Sequence, residues 1–120
     1  TGCYIMYCFK KLKLNKDFRR IYGRGRSFVN PAFVTYVLKN RSDDIRMGIT
    51  VSKKIGGAVE RNRAKRVILA AFRECAPHIP KGYDFVFVAR TRILDSKSQN
   101  IAAEIMKNLI AAEVVKKADE

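Results

Sequence analysis

Residues 45–75, IRMGITVSKKIGGAVERNRAKRVILAAFREC, hold two different periodicities separated by a glycine pair. Ile45 to Ser52 is rich in apolar and β-branched side chains and reads as a strand. Gly56-Gly57 interrupts that pattern and opens a helix predicted to last to about Cys75, with Pro77 and Pro80 closing it. At 100° per residue, Ala64, Val67, Ile68, Ala71, Phe72 and Cys75 fall on one side of this helix. Asn62, Lys65, Arg66 and Arg73 fall on another, with Arg61 and Arg63 flanking them. A helix with one long apolar stripe next to a strand needs a sheet to bury it. The class is therefore α+β.

The same reading extends in both directions. Upstream, Asn15 suits a helix N-cap and Asp17 its first turn, Phe18, Ile21 and Tyr22 share a face, and Gly23 or Gly25 ends the helix. Phe33 to Lys39 (FVTYVLK) reads as a strand, and the polar turn at Asn40 to Asp44 joins it to the strand at Ile45. Arg26 to Val29, ahead of Asn30-Pro31, is compatible with a further short strand. Downstream, Tyr83 to Ala89 (YDFVFVA) is apolar nearly throughout, as an interior strand covered on both faces would be. A last helix from about Ser98 carries Ile101, Ile105, Leu109 and Ala112 on one side. Helix, two or three strands, helix, strand, helix make a small two-layer α+β sandwich, predicted to occupy residues 10–117. Gly2 to Phe9 is apolar but too short to span a bilayer, and residues 1–9 are taken as an atypical N-terminal extension or processing remnant.

With 120 residues, 48% hydrophobic and 30% charged, the chain suits one globular domain. Its charge is less ordinary: 25 Lys and Arg against 11 acids give +14. Residues 10–26 hold eight cations and one acid, and residues 53–73 hold seven and one, so these two segments carry +13 of that excess. A domain so basic repels itself, and two concentrated patches point to a footprint for a polyanion. Cys3, Cys8 and Cys75 form no CxxC, and with His78 as the sole histidine they argue against a zinc site. A reduced, cytoplasmic protein is the expectation.

A run of cations on a helix is ordinarily a solvated face, but such faces are usually balanced by acids four residues away. Here Glu60 and Glu74 stand only at the ends, and Asn62 places a donor–acceptor amide among the cations. Ser52, Lys53 and Lys54 lead into the glycine loop, where backbone N–H groups at a helix start suit phosphate oxygens. Phe18, Tyr22, Phe33 and Tyr36, near Arg19, Arg20 and Arg26, are candidate stacking platforms for unpaired bases, with the core as the alternative use of each ring. These features indicate nucleic-acid binding without choosing RNA over DNA.

Arg46 to Ile68 (RMGITVSKKIGGAVERNRAKRVI) resembles the signature of the bacterial ribonuclease P protein component, with Arg61-Asn62-Arg63 and Lys65-Arg66 matching that family's RNR motif. The resemblance continues at Leu14 to Phe18, Phe33 to Tyr36 and Asp84 to Arg90, and covers roughly residues 10–115. It implies an αβββαβα fold with a left-handed βαβ crossover, as in the second domain of a small-subunit ribosomal protein. It implies that Lys53, Lys54, Arg61, Asn62, Arg63, Lys65 and Arg66 contact the catalytic RNA subunit. It also implies that Phe18, Tyr22, Phe33 and Tyr36 line a cleft for the single-stranded 5′ leader of precursor tRNA. The holoenzyme so implied uses Mg²⁺ bound mainly by RNA, places no catalytic residue on the protein, and requires no membrane and no protein partner. One departure stands out: Leu69 occupies a position where family members often carry Arg, and offers an apolar contact to a ribose or base in the middle of the basic face.

Three other classes compete. A protein-only nuclease needs clustered carboxylates or a general base, whereas Asp17, Asp43, Asp44 and Asp84 are scattered. A DNA-binding module lacks helix-turn-helix spacing here. A ribosomal-type structural RNA-binding protein matches the charge and element order equally well, and only the Arg46 to Ile68 signature separates it.

Overall fold

The computed structural model describes residues 10–12, 15–42 and 44–114; the extension at residues 1–9 lies outside them. In chain order the elements are β1 (Lys10–Lys11), α1 (Asn15–Arg24), β2 (Arg26–Val29), β3 (Phe33–Lys39), β4 (Ile45–Thr50), α2 (Ala58–Cys75), β5 (Tyr83–Ala89) and α3 (Ser98–Ala111). One five-stranded sheet runs β1-β4-β5-β3-β2. The hairpin partners β2 and β3 are antiparallel, β3 pairs antiparallel with β5, and β4 lies parallel to β5. The α2 crossover therefore joins two adjacent parallel strands, and β5, the most apolar strand, takes the centre. β1 adds two residues parallel to β4, with Lys10 opposite Arg46. Nothing in a Lys-Lys pair signals a strand; backbone pairing with β4 recruits it, beside an ion pair of 3.0 Å from Lys10 to Asp44.

Side-chain alternation divides the core. Phe33, Thr35 and Val37 of β3 and Phe85 and Phe87 of β5 are buried with α2 and α3. Val86 joins Ile21 of α1 and Leu12 in a second, smaller cluster, with Tyr36, Leu38 and Val88 packed against it. The two-layer reading thus describes the main body, sheet against α2 and α3. α1 covers part of the opposite face by itself.

On the large side, Phe72 of α2 sits 5.5 Å from the rings of both Phe85 and Phe87, and Phe33 lies 6.1 Å from Phe87. All four rings are fully buried, each contributing about 1.5–3 kcal/mol by leaving water. Ala64, Ile68, Ala71, Phe72 and Cys75 are the buried residues of α2, as the periodicity requires, and Ile101, Ile105 and Leu109 do the same for α3. α3 also buries Asn108, whose amide donates to Asn30 Oδ1 at 2.7 Å and Thr35 Oγ1 at 3.0 Å, so the polar group is matched. Gly25 turns the chain from α1 into β2. A Cβ there would stand 2.6 Å from the carbonyl oxygen of Ile21 and 2.9 Å from that of Val37, both immobile backbone atoms.

Candidate nucleic-acid interface

α1 lies across the sheet with Ile21 buried against Val86, which leaves Phe18 and Tyr22 on the flank toward the end of β4. Phe18 is half-buried and rests over Gly48, where an added Cβ would be only 2.5 Å from the ring. Tyr22 is 38% exposed. Its ring meets Tyr36 edge-on at 4.9 Å, and its hydroxyl shares a hydrogen bond of 3.0 Å with Thr50 Oγ1. The position of the ring is therefore fixed while one side stays open to water. Between these rings and β4 is an open hollow of about 740 Å³, bordered by Arg19 and Asn15 of α1, Ile49, Thr50 and Val51, and Lys65 of α2.

Phe33 does not belong to this hollow. It is fully buried on the opposite face, against Phe87 and the α2 layer. Phe33 and Tyr36 are three positions apart on one strand, and side chains an odd number apart point to opposite faces. The aromatic side chains lining the hollow are Phe18 and Tyr22, and Tyr36, on the same face as both, braces the Tyr22 ring from beside it.

A polar anchor holds α1 in place. Asp84, fully buried at the start of β5, accepts from Arg46 Nε and a terminal nitrogen of the same guanidinium, each at 2.8 Å, from Arg20 at 2.6 Å, and from Asn40 Nδ2 at 2.7 Å. The bidentate geometry is the strong form of this pair. The hydrogen bond to Asp84 raises the Arg46 pKa above its ordinary value, overcoming the opposing effect of burial. Arg20 thereby ties α1 to the central strand. The sequence reading grouped Arg20 with the cations available to nucleic acid; the structure gives it an internal partner.

On α2, Asn62, Arg63, Lys65 and Arg66 are exposed and Arg61 is half-buried. None of these cations forms an ion pair with an acid among the described residues. Arg61 Nε reaches the Gly57 carbonyl at 3.4 Å. Arg73, expected on this face, is half-buried. Lys53 and Lys54 are exposed on a 3₁₀ turn, Lys53–Ile55, that precedes the helix. Of the N–H groups at this end, two are already used by the chain itself. The Gly57 N–H donates to Glu60 Oε1 at 2.9 Å and the Lys54 N–H to Ser52 Oγ at 3.3 Å, so the chain caps these amides itself. The cationic side chains, rather than those amides, are what this end offers a phosphate.

The cations of α2 also point in two directions. Lys65 borders the α1 hollow with Phe18 and Tyr22, Arg63 lines a groove with Ser96, Lys97, Ser98 and Gln99 at the start of α3, and Arg66 reaches both that groove and a pocket it shares with Lys65 and Phe18. The latter segment carries no motif and escaped the sequence reading; only tertiary packing brings it beside α2. Among the described residues no three His, Cys, Asp or Glu side chains lie together as metal ligands, and no helix is long and apolar enough to cross a membrane. Asp84 is taken by two arginines, Asp44 by Lys10 at 3.0 Å, and Glu60 by its helix cap.

A profile of the family described as Ribonuclease P matches residues 6–113. The chain belongs to the ribonuclease P protein family. The ribonuclease P protein component of Clostridioides difficile is 47% identical over 102 residues, covering 84% of this chain and 89% of that protein. Among solved structures, the Staphylococcus aureus RNase P protein aligns with a TM-score of 0.76 at 38% identity, covering 88% of this chain and 97% of its own. The Thermotoga maritima RNase P protein aligns with a TM-score of 0.72 at 33% identity, covering 83% and 94%. Membership of the ribonuclease P family removes the ribosomal-type alternative, whose charge and element order could not be told apart from this one.

Proposed function

We propose that this chain is the RNA-binding subunit of ribonuclease P, assisting a catalytic RNA in endonucleolytic removal of the 5′ leader from precursor tRNA. Two surfaces divide the work. Arg61, Asn62, Arg63 and Arg66 on the outer side of α2, with Lys53 and Lys54, meet the RNA subunit. The hollow lined by Phe18 and Tyr22, with Tyr36 bracing Tyr22, holds the leader, with Arg19 and Lys65 at its border. The observation that carries the proposal is Tyr22, a ring locked by Thr50 and Tyr36 yet open on one side, within a hollow that also presents Arg19 and Lys65.

In this mechanism the RNA, with Mg²⁺ held mainly by RNA, hydrolyses the phosphodiester, and the protein contributes charge and position. Each phosphate neutralised by a lysine or arginine releases counterions, so log affinity falls with log salt by about 0.7–0.9 per contact. Stacking on a fixed aromatic ring supplies roughly 1–3 kcal/mol per base, which mature tRNA, lacking the leader, cannot collect. Precursor is thereby bound more tightly than product.

The test is cleavage of a leader-bearing precursor by a bacterial ribonuclease P RNA at low Mg²⁺, with and without the protein, beside affinities for precursor and mature tRNA. Stimulated cleavage is expected. Arg61, Asn62 and Arg63 changed together to Ala should weaken assembly with the RNA and lower the salt slope by about 1.4–1.8, two cations' worth. Tyr22→Ala should instead erode the preference for precursor. No stimulation, or equal affinity for both tRNAs, refutes the proposal.

A further inference from the structure

The flank of α1 away from the aromatic hollow carries a second groove, of about 830 Å³, that the proposed leader path and the outer face of α2 leave unused. α1 lines it with Asp17, Arg20 and Arg24, spaced three and four apart on the side of the helix turned from Phe18 and Tyr22. Lys39 and Arg41 close it from the end of β3 and the loop that follows, and Arg46 enters from β4. It shares no residue with the hollow. Arg20 and Arg46 are held by Asp84, but Arg24, Lys39 and Arg41 are exposed and pair with no acid among the described residues. We infer that this groove grips the phosphodiester backbone of a base-paired RNA segment, a third RNA contact set apart from the leader by α1.

The lining decides which part of a nucleic acid fits. No aromatic side chain reaches the groove, and Leu38 is the sole apolar residue of its wall. An unpaired base, which gains by stacking on a ring, finds no platform there. Paired RNA needs none: its bases are already stacked, and proteins meet it through phosphates and 2′-hydroxyls. Asp17 and Asp84 offset two of the five cations, which leaves a local excess of three. Two of the free cations are arginines, whose planar forks match phosphate oxygens. The loop that presents Arg41 is fixed in advance. Asn40 Oδ1 accepts from the Ser42 N–H at 2.8 Å, and the Asn40 N–H donates to the Gly82 carbonyl at 2.7 Å. Little ordering of the chain is therefore left to oppose binding. An acidic peptide would meet the same charge, but in the proposed function it is RNA that the neighbouring surfaces already hold close.

This inference rests on the chain serving ribonuclease P, and its test separates the two. Affinities are measured over a range of monovalent salt, for the RNA subunit with the protein and for precursor and mature tRNA with the holoenzyme. Wild type is compared with Arg24→Gln, Lys39→Gln and Arg41→Gln combined. A second variant, Arg24→Lys with Arg41→Lys, keeps the charge. A third, Lys81→Gln with Arg92→Gln and Lys107→Gln, removes as much charge from exposed positions outside the groove. The groove triple is expected to lower the salt slope by about 2.1–2.7, three phosphate contacts' worth, and the other two variants by far less. A drop in the RNA-subunit titration assigns the paired segment to that RNA. An equal drop for precursor and mature tRNA assigns it to the helical body of the tRNA. A drop confined to precursor puts single-stranded leader in the groove and overturns the inference. So does an equal loss in the control triple, or a slope the groove triple leaves unchanged, which is the result an acidic partner gives. In each of those cases wild type still prefers precursor to mature tRNA, and the leader hollow stands. Failure of the wild-type protein to bind the RNA subunit overturns the functional reading as well.

Discussion

Replacing Asp84 by Asn should unfold the protein more readily by about 2–3 kcal/mol, although the change alters one atom. Asp84 is fully buried and accepts four hydrogen bonds of 2.6–2.8 Å, three of them from guanidinium nitrogens. An amide keeps one acceptor oxygen and turns an N–H₂ toward donors. It therefore loses up to half of those contacts and sets like against like. Removing one partner of a fully buried ion pair costs roughly 3–5 kcal/mol. The arginines here keep 33% and 29% of their side-chain surface exposed, so water recovers part of the loss, which lowers the expectation to about 2–3 kcal/mol. With a urea slope of about 1–2 kcal/mol/M, the midpoint should fall by about 1–3 M.

Salt distinguishes this account from a surface effect. At 1 M salt the Debye length is about 3 Å, and an exposed pair would be largely screened. The Asp84→Asn difference should persist there, because the carboxylate is inaccessible to ions. Arg20→Gln should be milder, since Arg46 and Asn40 still hold Asp84, but it should free α1 and weaken leader binding. A midpoint change below about 0.5 M, or one that vanishes at 1 M salt, would refute the view that this carboxylate organises the face beneath α1.

Two other predictions come from the same geometry. Gly48→Ala places a Cβ 2.5 Å from the Phe18 ring and 3.3 Å from Leu12 Cβ. The ring is half-buried and can swing outward, so stability should fall by only about 1–2 kcal/mol while affinity for precursor falls toward that for mature tRNA; unchanged precursor preference would count against Phe18 as a leader contact. Cys75, whose thiol donates to the Ala102 carbonyl at 3.5 Å, is pushed up to about 11 by burial first and by Glu74 second, from an ordinary 9.0. A neutral thiol is thus favoured in the folded state. Its contribution is intact below pH 9 and declines as pH rises from 9 through 11, where only the unfolded thiol ionises freely. In a Cys3→Ser, Cys8→Ser background, alkylation at pH 8 should therefore be slow and accelerate with urea; rapid modification of the folded protein would contradict it.

Helix and strand positions were legible because burial leaves periods in sequence. The α2 stripe from Ala64 to Cys75 and the nearly unbroken apolar β5 belong to the largest buried faces, and both were readable. β1 was not readable, since two lysines have no apolar period and are held by backbone pairing with β4. Strand order is equally hidden, because no local pattern states that β5 separates β3 from β4. The misplacement of Phe33 is of another kind. Its parity with Thr35 and Val37, and not with Tyr36, was already in the sequence, and the rule of two would have sent it to the core.

The candidate site was legible as charge, and charge is where sequence overstates. Counting cations in residues 10–26 treats them as one patch, yet Arg20 is committed inward to Asp84 and Lys10 to Asp44, while Arg19 remains at the hollow. One signal could have sorted them. Asp84 is the single acid in the otherwise apolar YDFVFVA, and an ionised carboxylate in a central strand is tolerable only with cations brought to it from elsewhere in the chain. Such an acid foretells that some nearby arginines are structural, without naming them. The arginines it claims set the orientation of α1, and so fix where Phe18 and Tyr22 stand above β4. Part of the positive charge therefore builds the hollow, and what remains on Arg19, Lys65 and the outer face of α2 is free for RNA.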